Sequence, residues 1–274
     1  TKITSESHET NINFEDIRGQ ETAKRALEIA AAGGHNIAMS GPPGTGKTML
    51  AKAFAGVLPP LSRDEMLELT GIYSIVGALD DVIIRKPPFR SPHHTASYVS
   101  IIGGGTNPKP GEVTLAHRGV LFCDEFPEFD KRVIESMRQP LEDRIVNISR
   151  AKGSATFPSH FQLVAAMNPC PCGYRGSKHR ACSCTAGDLA RYERKLSGPI
   201  VDRIDIWVNV GQIEYDKLND TDINSEKSEN IRERIISARK IQNKRFGKEN
   251  KTNSMMNTKD IEAFAKPTLE AEKI

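Results

Sequence analysis

The sequence predicts an α/β fold of three layers, with a parallel β-sheet held between two layers of helices. Three observations predict it. Gly41-Pro42-Pro43-Gly44-Thr45-Gly46-Lys47-Thr48 matches the phosphate-cradling P-loop, G-x-x-x-x-G-K-[ST], at every fixed position, between a short apolar stretch and a helix start. Val120-Leu121-Phe122-Cys123 is continuously apolar, as a strand buried on both faces of a parallel sheet must be. Strand-like and helix-like segments then alternate along most of the chain.

Taken in order, residues 1–13 are polar, carry no signal peptide, and read as a flexible lead-in. A P-loop core over 14–210 follows. Residues 20–32 have helix-forming composition and stop at Gly33-Gly34. Asn36-Ile37-Ala38-Met39 reads as a short buried strand, and 49–55 as the helix after the P-loop. Ser62-Arg63-Asp64-Glu65 is a capping box that opens another helix. The stretch of about 84–118 is rich in Gly, Pro and His and reads as an insertion. After Val120–Cys123 comes a helix around 131–139. Residues 144–149 and 154–157 bracket Arg150-Ala151-Lys152-Gly153, which predicts a β-hairpin over about 145–157 with a basic tip. Residues 161–166 and 204–210 read as further strands. A polar, acidic linker over 211–225 leads to a partial helical lid over 226–274, with a helix at 231–246.

Composition narrows the function classes. At 274 residues, 38% hydrophobic and 27% charged, the chain suits a globular domain with a substantial core rather than a disordered segment. No apolar run approaches the roughly 18 residues of a membrane helix, so no membrane partner is expected and a cytoplasmic location is. The net charge of +3 is too small to imply nucleic acid by itself. Between Arg144 and Lys195, however, nine Lys and Arg stand against Asp188 and Glu193, a local excess of +7. Such an excess marks either a polyanion-binding face or ordinary solvated surface.

The chemistry follows from residue types at their positions. The P-loop glycines let backbone N–H groups turn toward phosphate oxygens at a helix N-terminus. Lys47 would then reach the β- and γ-phosphates of ATP, and the Thr48 hydroxyl would ligate Mg²⁺. Asp124-Glu125 follows directly on the apolar strand, where one carboxylate can hold Mg²⁺ and the next can orient and deprotonate a water. Asn168, just past a strand, suits a contact to the γ-phosphate or that water, or else a turn before Pro169. Arg203 suits a clamp on the charge of phosphoryl transfer, or else a surface pair with Asp202. Cys170-Pro171-Cys172 and Cys182-Ser183-Cys184 are two C-x-C pairs nine residues apart. Such thiols suit structural zinc, although C-x-C is tighter than the usual spacing, or else are reduced loop thiols. Cys123 reads as packed in its strand. His93 and His94, adjacent in extended chain, would point to different sides and not share a metal.

Asp16-Ile17-Arg18-Gly19-Gln20, the P-loop, Gly119 to Glu125, Asn168-Pro169-Cys170-Pro171-Cys172-Gly173 and Asp202-Arg203-Ile204-Asp205 occur in the order of an AAA+ ATPase. More narrowly, the chain resembles the magnesium-chelatase-like proteins of the YifB/ComM type, through Ser91-Pro92-His93-His94-Thr95-Ala96-Ser97 and Pro110 to Gly119. The match runs from about Phe14 to Val210. The resemblance implies that Gly41, Pro42, Pro43, Gly44, Thr45, Gly46, Lys47, Thr48, Met49 and Asp124 contact ATP, and that Ile17 and Gly19 lie near the adenine. It makes Glu125 catalytic together with Lys47, Asn168 the first sensor, and Arg203 the finger inserted into a neighbouring subunit's site. It places the hairpin with Arg150 and Lys152 toward a central pore and its single-stranded or branched DNA. The function it implies is a hexameric helicase driving branch migration. A magnesium-chelatase I-subunit-like ATPase that remodels a protein partner is the alternative. Full-length members resemble a Lon-protease-like domain joined to the ATPase, and their lid continues to a second sensor arginine. Neither is identifiable in this sequence, which therefore reads as a fragment holding the ATPase module.

Overall fold

The computed structural model describes residues 12–79, 82–106, 108–150, 153–177, 180–212, 226–248, 251–268 and 270–271. Most of the expected lead-in, most of the expected linker, Lys152 and the side chain of Arg150 lie outside the described residues.

The strands of the central sheet are β1 (Ile37–Ser40), β2 (Phe89–Arg90), β5 (Val120–Cys123), β8 (Gln162–Met167) and β9 (Ile206–Asn209), with β3 (Gly103–Gly104), β4 (Lys109–Pro110), β6 (Ile145–Arg150) and β7 (Gly153–Pro158) forming two separate antiparallel pairs. The central order is β2-β5-β8-β1-β9, and every pairing in it is parallel. Its strands are apolar on both faces because helices cover both. Side-chain alternation divides them cleanly. Ile37, Met39, Val120, Phe122, Val164 and Ala166 join one core with Phe14, Leu27, Leu50 and Phe54. Ala38, Leu121, Cys123, Leu163, Ala165 and Met167 join the other with Ile101, Phe126, Ile134 and Phe161.

The first core is roofed by α1 (Glu21–Gly33), α2 (Lys47–Val57) and the long helix Ser228–Phe246. Ile231 and Ile235 of that long helix are buried in it. Arg239 donates to Ala31 O at 2.7 Å and Gln242 to Ala32 O at 2.9 Å, satisfying carbonyls at the end of α1. The capping box forms as read: Glu65 N donates to Ser62 Oγ at 3.3 Å and Ser62 N to Glu65 Oε2 at 2.9 Å, opening α3 (Arg63–Val76).

Two readings need correction. The stretch 84–118 is not insertion throughout, because Phe89–Arg90 is the edge strand of the central sheet and Ile101, Val113 and Ala116 are core residues. A two-residue strand after Pro87-Pro88 carries no alternation, so it leaves no periodic signal. Arg90 is locked there by a bidentate pair with Glu112 at 2.6 and 2.8 Å. Nor is 131–139 one helix: it is Lys131–Ser136 followed by Arg138–Asp143. Pro140 has no N–H for the carbonyl of Ser136 and its ring crowds that carbonyl, so the helix breaks at Met137.

Phe54 lies at the centre of the first core with no exposed surface. Phe54→Ala is expected to cost about 3–5 kcal/mol, read as a lowered urea midpoint without a change in slope.

Candidate functional site

All parallel strands present their carboxyl ends on one edge of the sheet, where ligands of open α/β sheets bind. Here that edge carries an open cleft of about 710 Å³ lined by Pro43 to Met49, Ser91 to His94, Asp124, Glu125 and Asn168. The P-loop follows β1, Asp124 and Glu125 follow β5, Asn168 follows β8, and Ser91 to His94 follow β2.

The P-loop is shaped by close approach. Gly41 N donates to Met167 O at 3.1 Å, and a Cβ on Gly41 would lie 2.0 Å from Val210 O. Gly46 caps α2 in the left-handed region at φ 85°, with open space where a side chain would stand. Lys47, Thr48 and Met49, the first turn of α2, line the cleft, and the N–H groups of a helix's first turn have no partner within the helix. Lys47 is buried, and its Nζ donates to Gly41 O at 2.7 Å and Pro42 O at 2.8 Å. Burial pulls its pKa below the usual lysine value, and the Asp124 carboxylate opposes that shift.

Thr48 Oγ1 donates to Asp124 Oδ2 at 2.9 Å, while Glu125 N donates to Asp124 Oδ1 at 2.9 Å. A hydroxyl and a carboxylate in contact at a phosphate-facing loop are the hard oxygen donors Mg²⁺ takes, so the donor set fits that ion. Glu125 itself sits at φ 49°, ψ 43°, rare for a residue with a side chain. This turn sends its carboxylate to His94, whose Nδ1 is 3.2 Å from Glu125 Oε2. Asn168 lines the cleft, and its carbonyl accepts from Tyr192 Oη at 2.9 Å. Burial of that phenol pushes its pKa up to about 12, so it remains a donor at neutral pH.

Of the other expected residues, Met49 lines the cleft. Ile17 is buried in the first core, and Gly19 leads into Gln20, whose Nε2 donates to Gly211 O at 2.6 Å and reaches Thr45 O at 3.4 Å. Ile17 and Gly19 thus stand beside the P-loop without entering the cleft lining. Arg203 does not join the cleft. Its carbonyl accepts from Asn36 Nδ2 at 2.9 Å, and Asn36 immediately precedes β1, whereas the P-loop follows it. The four residues of β1, about 13 Å of extended chain, separate the two edges. There the Arg203 guanidinium donates to Pro199 O at 2.7 Å and pairs with Glu142.

The four cysteines Cys170, Cys172, Cys182 and Cys184 come together, all Sγ atoms lying within 4.8 Å of one another. Backbone N–H groups of Tyr174 and Ser183 hold the Cys172 thiol down, to about 5. Cys123 is apart from them in β5, and burial pushes its thiol up. The hairpin of β6 and β7 pairs from Ile145 with Pro158 to Arg150 with Gly153.

The sequence reading did not find His93 and His94 in the cleft. Their rings lie 4.2 Å apart, not on opposite sides, because the chain turns there: Ala96 N donates to His93 O at 2.9 Å. The available signal was positional, a polar run directly after a strand that itself escaped notice. Tyr192 and Gln20 were missed as well.

A five-stranded parallel sheet in this order, with the P-loop after β1, defines a P-loop protein of the AAA+ class. The profile of the family described as "Magnesium chelatase, subunit ChlI" matches residues 13–218, and that of its C-terminal part matches 225–274. The chain belongs to this magnesium-chelatase family, within its YifB/ComM-like group. It is 45% identical over 262 residues to YifB of Escherichia coli, covering 95% of this chain and 50% of that protein. It is 45% identical to competence protein ComM of Haemophilus influenzae, again over 95% of this chain and 50% of the relative. The 67 kDa magnesium-chelatase subunit of Heliobacterium mobile is 26% identical over 74% of the chain. The chain thus spans about half the length of the curated YifB and ComM relatives it matches. Among the described residues no helix is long and apolar enough to cross a membrane.

Because a Cβ at Gly41 meets the backbone carbonyl of Val210, just past β9, Gly41→Ala is expected to destabilise the fold by at least about 2 kcal/mol. Gly44→Ala meets no atom and should cost only the left-handed backbone penalty, about 1 kcal/mol. Equal urea midpoints for the two variants would contradict this packing.

Proposed function

We propose that the chain is an ATP-binding and ATP-hydrolysing module of a ring-forming AAA+ motor, specifically a ComM-like hexameric helicase that moves branched DNA in the cytoplasm. The observation that carries the reading is the convergence of Lys47, Thr48, Asp124, Glu125 and Asn168 on one cleft while Arg203 stands on the opposite edge. The cofactors of this reading are Mg²⁺ with ATP, and zinc in the four-cysteine cluster.

Lys47, already stripped of most of its water, exchanges two carbonyl acceptors for β- and γ-phosphate oxygens. Its desolvation makes that contact stronger than the same pair in water. Gly41 to Met49 wrap the phosphates, with Ile17 and Gly19 on the adenine side. Magnesium on Thr48 and Asp124 supplies neutralisation of charge on the phosphates. Glu125 accepts the proton of the attacking water on the carboxylate oxygen that does not face His94. Asn168 orients that water or the γ-phosphate through its amide. Arg203, unable to reach its own cleft, serves the cleft of an adjacent copy, as members of this class commonly assemble into oligomers.

The hairpin with Arg150 and Lys152, and the +7 excess between 144 and 195, favour DNA as what the motor acts on. The ChlI profile match favours a second reading, in which the same chemistry remodels a protein partner.

Arg203→Ala is expected to retain ATP binding and lose roughly 10³–10⁵ in turnover. Mixing it with Lys47→Ala should restore part of the rate, since some contacts then pair an intact cleft with an intact arginine. No recovery on mixing, in chains shown to co-assemble, would end the trans assignment. Forked or single-stranded DNA is expected to stimulate the wild-type ATPase, and Lys152→Ala to weaken DNA binding and lower its salt slope while basal hydrolysis holds. Indifference to DNA would favour the protein-remodelling reading.

A further inference from the structure

The cysteine cluster is built onto the hydrolytic cleft, and its geometry is that of a metal site rather than of disulfides. Cys170 and Cys172 Sγ are 3.4 Å apart, Cys172 and Cys182 3.5 Å, and Cys170 and Cys182 3.7 Å. A disulfide needs about 2.05 Å. Four thiolates at zinc's usual bond length of about 2.3 Å stand about 3.8 Å apart at the corners of a tetrahedron. The donor set is thiolate only, which selects zinc over the oxygen-seeking cations of the neighbouring cleft. Arg175 N donates to Cys170 Sγ at 3.3 Å, the kind of second-layer contact that orients a metal ligand. The C-x-C spacing is accommodated by a turn, in which Gly173 N donates to Cys170 O at 2.9 Å. Residues 169–185 hold few apolar side chains, and only Cys170 among the described ones joins the buried set. The segment therefore lacks a core of its own.

Its two ends converge on one residue. Cys170 is two positions beyond Asn168, and Gly173 lies against Pro43 of the P-loop, where a Cβ would be 2.7 Å from its Cδ. On the far side, Thr185 directly follows Cys184 and caps the helix Ala186–Glu193 through Asp188 N at 3.2 Å. Tyr192 on that helix returns to donate to Asn168 O at 2.9 Å. Lys195, just beyond, pairs with Glu128 at 2.6 Å, four residues past Asp124. The chain thus leaves Asn168, passes through the four thiols, and comes back to Asn168 from the other side.

We propose that Cys170, Cys172, Cys182 and Cys184 bind one zinc ion, and that this ion closes a strut that positions Asn168 in the cleft. The second half rests on the reading of Asn168 given above. Zinc here is a positioning element for ATP turnover and takes no part in the chemistry. Without it, the described residues of the segment have a few hydrogen bonds and the exposed Arg175–Glu193 and Lys195–Glu128 ion pairs to keep Tyr192 and Asn168 in register.

The test uses the chain purified without a histidine tag. Elemental analysis is expected to give one zinc per chain. Removing it with a chelator should lower kcat at least tenfold while the Kd of a fluorescent ATP analogue stays within about twofold, and added zinc should restore the rate. Cys184→Ser should lose the metal and show the same split without rescue. Tyr192→Phe is the control against simple unfolding: it keeps the zinc, keeps nucleotide affinity, and loses roughly two- to tenfold in kcat through one hydrogen bond. Combined with Asn168→Ala, it should add no further loss. Wild-type chain without zinc overturns the site, and full kcat after zinc removal overturns the strut. Wild-type chain with zinc but no ATP turnover would sink the reading of the cleft and with it the role of Asn168, while the metal count alone still decides the zinc site.

Discussion

The cleft depends on the parallel pairing of β1 with β8 on one side and β9 on the other. Ser40 is level with Met167 and with Asn209, so the P-loop, Asn168 and Val210 all begin at one height. Cys123 pairs with Ala165, which sets Asp124 level with Ala166, two residues short of Asn168. A register slip of one residue would turn every strand side chain to the other face. It would exchange the two cores and take the Asp124 carboxylate from Thr48. The register is held because Phe122 and Leu121, or Val164 and Leu163, cannot both change sides without leaving large apolar groups unmatched. Packing on the two faces thus fixes, to within a hydrogen-bond length, where polar groups stand at the edge.

The electrostatics of the edge follow from that placement. Lys47 is desolvated beside a carboxylate, and its amine is occupied by carbonyls of its own loop. Asp124 accepts from Thr48 and from the next residue's N–H with different oxygens. Glu125 is turned by its left-handed backbone toward an imidazole. Each charged group of the cleft therefore already has a partner within the chain. A ligand binding there gains less than bare charges would suggest, since each new contact replaces an old one.

Much of this was legible in the sequence. The P-loop, the apolar strand before Asp124-Glu125 and the strand before Asn168 are local signals, each written within a few consecutive residues. The alternation of strands and helices gave the parallel sheet between helices, but not the order β2-β5-β8-β1-β9. What escaped lacks a local signature. Strand β2 is two residues long, so His93 and His94 were read as an insertion loop although they stand in the turn that follows a sheet strand and line the cleft. Tyr192 touches Asn168 across 24 positions of chain and looks like any half-buried aromatic. The convergence of four thiols was hinted at by count, but the tight C-x-C spacing argued against it until the turn at Gly173 was seen. The sequence left Arg203 open between a phosphate clamp and a surface pair; the structure puts it at the amino edge, because a parallel sheet gives each residue beside a strand end a definite side.

That last point has a consequence for symmetry. Lys47 and Arg203 lie at opposite edges of one sheet, so a contact that joins them between two copies uses two different surfaces. A two-fold dimer makes such a contact twice only where both surfaces fall within one self-complementary patch; surfaces too far apart for that meet head to tail. Copies joined this way each leave one free end of either kind. The arrangement can terminate only by bending round to close on itself, and otherwise grows as a helix. The handedness and the number of copies then depend on the angle between successive sheets, a property of no single chain.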